Sequence, residues 1–471
     1  MKRELKTRHL SMIALGGSIG TGLFVTSGSA IAKAGPGGAL LAYCGIGIMV
    51  FFLMTSLGEM ATYLPVSGSF STYATRFVDP ALGFALGWNY WFNWAITLAV
   101  DISTAALVTE FWLPDMPGWI FSLVALLLIF LINITSVKSF GETEYWFALI
   151  KVITVIIFLG VGLLTILGIM GGHPTGLSNF TYKKAPFVGG LPMMLSVFVV
   201  AGFSFQGTEL IGITAGESKT PEKSIPKAIK QVFWRILLFY ILSIFVIACL
   251  IPYDSHSLLG ASETNIAVSP FTLVFKRAGL ASAASIMNAV ILTSVLSAAN
   301  SGMYASSRML WSMAEDGYAA KIFAKTSKRG IPVMALIGTT IVGALTFVTS
   351  IFGTRIYLFL VAASGLTGFI AWLGIAVSHY RFRRAFKAQG HQLSELKYHA
   401  RWFPFGPIFA FVLCLLVIAG QDIQAFKNFD WTAIGISYMS IPLFVVLYVY
   451  YKVRYKTKMI PLEEVDLSKH K

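Results

Sequence analysis

Three ionisable side chains lie deep inside apolar runs of this sequence. Glu209 follows Gly202-Phe203-Ser204-Phe205-Gln206-Gly207-Thr208, Lys151 stands in Trp146-Phe147-Ala148-Leu149-Ile150-Lys151-Val152, and Asp101 lies beyond Trp88-Asn89-Tyr90-Trp91-Phe92-Asn93-Trp94. A charge in hydrocarbon costs at least ~2.5–3.5 kcal/mol on insertion scales, so each calls for a partner or a proton. Glu209 could carry a proton or pair with a cation; the competing reading is a structural carboxylate bonded to loose backbone N–H groups. Lys151 could alternate between charged and neutral forms; alternatively its stem snorkels to the nearer end of its segment. Tyr90, Trp94, Thr97 and Asp101 share one helical face by i, i+4, i+7, i+11 spacing. Such a stripe can wall a cavity or simply pack. Glu59, in Gly58-Glu59-Met60, falls near the end of a segment and reads as structural.

The glycines beside these residues narrow the chemistry. Gly16-Gly17-Ser18-Ile19-Gly20-Thr21-Gly22 has four glycines in seven residues, and Gly202 to Glu209 is followed by Gly212 and Gly216. Glycine costs ~1 kcal/mol relative to alanine inside a helix, so clusters at mid-segment predict unwound backbone. In a membrane, unwound backbone must line a protein cavity. A half-helix starting near Thr21 would offer N–H groups and a positive dipole end to a carboxylate. One ending near Phe205 would offer carbonyls to an ammonium. Together they could hold an α-amino acid by its backbone atoms. Gly16 and Gly20 also form a G-x-x-x-G, which can be a packing face. Gly16 to Gly20 fits G-x-S-x-G as well, but that elbow needs a strand–turn–helix setting. The histidines (9, 173, 256, 379, 391, 399 and 470) fall in loops or at segment ends, so none is placed as a base. No catalytic set and no metal-ligand spacing is found, and the expectation is a non-enzyme without cofactor.

These residues must be positioned by a membrane architecture. The chain has 471 residues, 56% apolar and 12% charged, against ~45–50% and ~25% in soluble domains. Such a charge density cannot coat a soluble surface. Runs of about 20 apolar residues predict twelve spans near 10–34, 38–63, 83–109, 118–136, 143–170, 190–215, 231–252, 279–312, 332–351, 355–380, 404–421 and 433–451. Ser269 to Gly279 reads as a separate surface helix before the eighth. The formal charge of +15 would suit nucleic acid in a soluble protein. With the N-terminus inside, however, 28 of the 36 basic residues fall on the cytoplasmic side and seven outside. This obeys the positive-inside rule and removes the nucleic-acid reading. Both termini are then cytoplasmic. Cys44, Cys249 and Cys414 lie far apart in apolar runs and suggest no disulfide framework. The region after Met1 to His9 is too long for a signal-peptide core and reads as the first retained span.

Interruptions in spans one and six, five apart, point to an inverted-repeat transporter with a midplane site. The predicted organisation is a cytoplasmic segment 1–9, a first repeat 10–170, a second repeat 190–380, two further spans within 404–451, and a cytoplasmic tail 452–471.

Arg8-His9-Leu10-Ser11-Met12-Ile13-Ala14-Leu15 running into the first glycine cluster, Ala34-Gly35-Pro36-Gly37-Gly38, Gly58-Glu59-Met60, Pro65-Val66-Ser67-Gly68-Ser69-Phe70, Phe203 to Gly212, Ala215-Gly216-Glu217-Ser218 and Ile225-Pro226-Lys227-Ala228-Ile229 resemble bacterial amino acid transporters of the amino acid–polyamine–organocation superfamily. Gly87 to Trp94 and Ser378-His379-Tyr380-Arg381-Phe382-Arg383-Arg384 are most similar to lysine-specific permeases. The resemblance covers residues 3 to about 455. It implies an all-α, LeuT-like five-plus-five fold with helices 1 and 6 broken, importing L-lysine or a related amino acid across the plasma membrane with protons. Carried over residue by residue, it implies substrate binding by Gly17, Ser18, Ile19, Gly20, Thr21 and Gly22, by Tyr90 and Trp94, and by Phe203, Ser204, Phe205 and Glu209. Lys151 matches a span-five lysine that stands where sodium-driven relatives hold sodium, and with Glu209 it is expected to couple protons. Phe92 departs from a tyrosine that would also fit. Histidine, arginine or neutral and aromatic amino acids, an exchanger, or a membrane amino acid sensor are the alternatives. Expected partners are the amino acid, protons and the bilayer, with no nucleic acid and no obligate protein.

Overall fold

The computed structural model describes residues 3–17, 19–255, 258, 269–280, 283–352 and 354–469. The described residues form helices and no sheet; one isolated parallel bridge joins Leu5 to Ser218. The elements are α1 (Thr7–Gly16), a π-turn Gly22–Thr26 leading into α2 (Ser27–Tyr63), α3 (Ser69–Phe77), α4 (Pro80–Thr109), α5 (Gly118–Thr135) and α6 (Val137–Ile166). Then come α7 (Gly190–Phe205), α8 (Leu210–Thr214), α9 (Pro221–Arg235), a second π-turn Ile236–Ile241 and α10 (Leu242–Leu250). The chain continues with α11 (Pro270–Arg277), α12 (Ala283–Glu315), α13 (Val333–Gly343), α14 (Leu345–Phe352) and α15 (Thr354–Ala388). It closes with α16 (Phe405–Ala419), α17 (Ile423–Lys427), α18 (Trp431–Tyr438) and α19 (Ser440–Tyr455).

Local chemistry sets several of these boundaries. Asp79 caps α4 by accepting from Ala81 N–H at 2.9 Å, with Pro80 at the first helical position. Ser136 caps α6 through Ser139 N–H at 2.9 Å. Within α2 the backbone turns at Gly35, whose φ of 76° precedes Pro36. A Cβ there would lie 2.7 Å from the Pro186 carbonyl oxygen, so only glycine fits. That turn separates the predicted runs 10–34 and 38–63.

Among the described residues, eight helices are long and apolar enough to cross a membrane, or nine if the pair α18–α19, bent by 55°, counts as one span. Val333–Val348 and Phe405–Ala419 are shorter apolar helices. The molecule is a multi-pass membrane protein. Helix α4 lies at its centre, with 83% of its most apolar window buried, against 28% in α5 and α6. The outward faces of α5 and α6 carry exposed Val124, Leu131, Ile156 and Leu163, as lipid-facing helices do.

Some surface assignments are corrected by the packing. The segment Ser269 to Gly279 does hold a separate helix, α11, but Phe271 and Val274 are fully buried. Phe271 lies 4.8 Å from Phe24 and 4.1 Å from Phe158 between ring centroids. Its i, i+3, i+4 apolar set is a packed face. Arg235, Arg308 and Arg383, counted with surface charges, are buried. Arg308 Nε donates to Glu217 Oε1 at 3.1 Å, both side chains fully buried.

His379, read as lying at a span end, sits inside α15 with Nε2 3.3 Å from Glu59 Oε2. Arg383 clamps the same carboxylate through Nε at 2.6 Å and through Nη2, and Ala400 N–H donates to Glu59 Oε2 at 2.6 Å. The structural reading of Glu59 holds, because this cluster ties α2, α15 and the segment before α16 together. Removing one partner of a buried pair strands the other. Arg383→Met is therefore expected to destabilise the protein by about 3–5 kcal/mol, read as a lowered thermal midpoint in detergent. An unchanged midpoint would mean the pair contributes nothing to folding.

Candidate functional site

The first break begins where α1 ends. Gly17 closes α1 by donating its N–H to Ile13 O at 2.8 Å, and Ile19 N–H reaches Gly16 O at 3.1 Å. Helical hydrogen bonding resumes with the π-turn at Gly22. Ser18 lies outside the described residues. Gly17, Ile19, Gly20, Thr21 and Gly22 are all buried. Part of the glycine cluster is a packing device: a Cβ on Gly16 would lie 2.3 Å from Ala148 Cβ of α6. Gly20 is 3.3 Å from Ala298 Cβ by the same measure.

The second break follows α7. Gln206 is extended (φ −58°, ψ 145°) and Gly207 has φ 94°, a conformation that favours glycine. The Gln206 amide crosses to α15, donating to Ser364 O at 3.1 Å. Two of the carbonyls at the end of α7 already hold a donor from within the break. Phe203 O accepts from Gln206 N–H at 3.2 Å, and Phe205 O accepts from the Thr208 hydroxyl at 3.0 Å. Phe205 itself is fully buried and stacks on Tyr240 at 4.1 Å. Phe203 is only half-buried.

The two breaks touch. A Cβ on Gly22 would lie 2.4 Å from Ser204 Cα, and Tyr43 OH and Ser204 Oγ are 2.9 Å apart. Glu209, just past the second break, is a buried acceptor. Its Oε1 receives Tyr90 OH at 3.2 Å, its Oε2 receives Trp372 Nε1–H at 3.2 Å, and Gly207 N–H lies 3.3 and 3.2 Å from the two oxygens. An ionised carboxylate only accepts, so these donors suit it.

The stripe on α4 spans both breaks. Tyr90 meets Glu209 beyond the second, and Asp101 meets the first, accepting from Thr21 Oγ1 at 3.2 Å. Trp94 packs edge-on to Tyr90 at 6.2 Å, and Thr97 Oγ1 is 2.6 Å from Ser364 Oγ. Asp101 Oδ2 is buried without a hydrogen-bond partner, an open acceptor beside the first break. A plain packing role for the stripe does not account for these polar contacts.

Lys151 is fully buried, so the snorkelling alternative fails. Its Nζ donates to Gly16 O at 3.0 Å and to Ser297 Oγ at 2.9 Å. A cation at the carbonyl that ends α1 complements the helix dipole there.

Two functional candidates escaped sequence reading. Arg235, on α9, is fully buried; its Nη1 donates to Ala14 O while Nε and Nη2 have no partner. Lys227 and Lys230 upstream made it look like part of a basic loop. Glu144, on α6, is fully buried and two turns from Lys151. The i, i+7 spacing of the two was the available signal. Among the described residues, no group of three or more His, Cys, Asp or Glu could hold a metal ion.

Residues 9–462 match the amino acid permease family model. The lysine-specific permease LysP of Lactococcus lactis subsp. cremoris is 62% identical over all of this chain and 94% of its own length. LysP of Escherichia coli strain K12 is 58% identical, covering all of this chain and 97% of that protein. The histidine permease HisP of the same Lactococcus strain is 59% identical over all of this chain and 99% of HisP. The match runs over nearly the whole length, and the chain belongs to the amino acid permease family.

Proposed function

We propose that this protein imports L-lysine, or a closely related amino acid, across the plasma membrane by proton-coupled alternating access. The observation that carries the reading is the direct contact of two broken helices at Gly22 and Ser204, with buried Glu209 held just past the second break by Tyr90 and Trp372. In this reading the chain crosses the bilayer twelve times with both termini cytoplasmic, and residues 10–170 and 190–380 are inverted repeats. Gly17 to Gly22 bind the substrate carboxylate. The α-amino group meets the end of α7 once the Phe203 and Phe205 carbonyls are released from Gln206 and Thr208. Tyr90 and Trp94 wall the cavity. Lys151 and Glu209 change protonation through the cycle.

The chemistry is consistent with these roles. N–H groups at a helix start favour an anion, and an acidic residue beside the break favours a cationic substrate. Lys151 holds the end of α1 while charged and loosens it when neutral, which links a proton to the movement of α1. The full-length similarity to a histidine permease favours a second reading, histidine as substrate.

Purified protein in proteoliposomes is expected to accumulate labelled lysine under an inward proton gradient without sodium. A competition panel of the twenty amino acids separates lysine from histidine. A strict need for sodium would overturn the proton role. Gly22→Ala is expected to weaken lysine binding by about 1–3 kcal/mol, because the new methyl meets the Ser204 backbone. Binding at wild-type affinity would mean that the breaks separate freely.

A further inference from the structure

Below Lys151 runs a chain of buried polar groups that substrate binding does not use. Ser297 Oγ, which receives the Lys151 ammonium at 2.9 Å, donates to Glu144 Oε2 at 2.8 Å. The other oxygen of Glu144 accepts from Asn300 Nδ2 at 2.7 Å, and Asn300 Oδ1 accepts from Asn133 Nδ2 at 2.8 Å. Lys151, Ser297, Glu144 and Asn300 are all fully buried. The donors point one way: ammonium to hydroxyl, hydroxyl to carboxylate. Glu144 accepts at both oxygens and donates to nothing, so the chain has a proton-rich end and an accepting end.

Glu144 lies two turns nearer than Lys151 to the N-terminal end of α6. That end is taken as cytoplasmic in the proposed function, on which this inference rests. One turn further, Gly141 packs against His9, whose Nε2 is 3.1 Å from Glu142 Oε1. Glu142 also pairs with Arg8 and is partly exposed. The other charged groups facing this region are accounted for. Arg308 on α12 is held by Glu217. Asp101 on α4 also faces Lys151; it accepts from Thr21 at Oδ1, its Oδ2 has no partner, and both hydrogen bonds of the Lys151 ammonium go elsewhere, to Gly16 O and Ser297 Oγ. Lys276 and Arg277 of α11 are near the opposite end of α6, where Arg277 Nη1 donates to Leu250 O.

We propose that Glu144 is the proton acceptor of Lys151 on the cytoplasmic side. A proton leaves the Lys151 ammonium for Ser297 Oγ while the Ser297 hydroxyl proton passes to Glu144 Oε2. The products are a neutral amine, an unchanged serine and a carboxylic acid. No net charge is created, so the step avoids the penalty of an unpaired buried ion. The neutral amine holds Gly16 O more weakly, which frees α1 for the return of the empty protein; the loaded, still protonated protein exchanges lysine without this step. Glu144 then gives its proton to the cytoplasm past His9 and Glu142, regenerating the carboxylate.

The test uses the purified full-length protein in proteoliposomes, with proton-driven lysine accumulation and lysine–lysine exchange at equal pH measured side by side. Glu144→Gln is expected to lower accumulation at least about tenfold. Exchange is expected to persist and to lose its pH dependence. Ser297→Ala keeps both charges and breaks only the bridge; it is expected to slow proton-driven uptake about tenfold while exchange continues. It also serves where Glu144→Gln does not fold. Wild-type accumulation and pH response in either variant would overturn the assignment. So would parallel loss of exchange and accumulation in both, which marks a structural role. If the wild type itself shows no proton-driven accumulation, the proposed function fails first and this assignment with it.

Discussion

Lys151→Met is expected to abolish proton-driven accumulation, a loss of about 100-fold or more in uptake against a gradient. The side chain is fully buried and bonds the carbonyl that closes α1 and the hydroxyl of Ser297. Methionine nearly matches the volume of the stem and removes the charge. Glu144 is then left buried with hydrogen bonds but no cation. Lys151 and Glu144 meet only through Ser297, but a buried carboxylate left without its nearby cation is still destabilising, so the variant should also melt lower in detergent. The double variant Lys151→Met/Glu144→Gln removes both charges and is expected to recover much of that stability without recovering accumulation. Comparing the four proteins isolates the pairwise term. Full stability in the single variant would show that Lys151 and Glu144 are not energetically coupled. Full accumulation would sink the coupling role of Lys151.

Glu209→Gln should have the second largest effect. The carboxylate receives Tyr90 OH, Trp372 Nε1–H and Gly207 N–H, all donors. Glutamine offers one oxygen and one NH2, so one donor must face another donor. Each lost hydrogen bond to a charged acceptor is worth about 1.5–3 kcal/mol. The second break is therefore expected to lose about 1.5–3 kcal/mol of its organisation, lysine affinity to fall, and accumulation to disappear. Binding measured directly on the purified protein separates this from a transport defect. Glu209→Asp keeps the charge on a shorter stem and should retain part of the affinity. Wild-type affinity and accumulation in Glu209→Gln would reduce Glu209 to an organiser of the break.

Much of the site was legible because membranes make polar exceptions conspicuous. Glycine clusters at mid-span marked both breaks, since helix propensity and lipid together leave few other uses for them. The depth of Lys151 and Glu209 was visible for the same reason. The face shared by Tyr90 and Asp101 followed from helical spacing alone, and both ends of it do meet the breaks. Glu144 and Arg235 were missed because each lies near the predicted edge of a span. There the sequence looks the same whether a charge faces water or turns inward. The half-helix ending near Phe205 was expected to offer free carbonyls, and the Thr208 hydroxyl donates to the Phe205 carbonyl, a local partner that helical propensity does not reveal.

From residue types and periodicity alone came the membrane class, the broken helices and the depth of Asp101, Lys151 and Glu209. Those are local properties: they depend on what a short stretch of chain can do in hydrocarbon. Partnership was decided only by the tertiary structure. Lys151 meets Gly16 and Ser297 across 135 and 146 residues, and Trp372 reaches Glu209 across 163. No pattern along one helix encodes such contacts, because they arise from how separate helices rotate against each other. That rotation turns a list of buried charges into the set of hydrogen-bonded partners on which the proposed proton path rests.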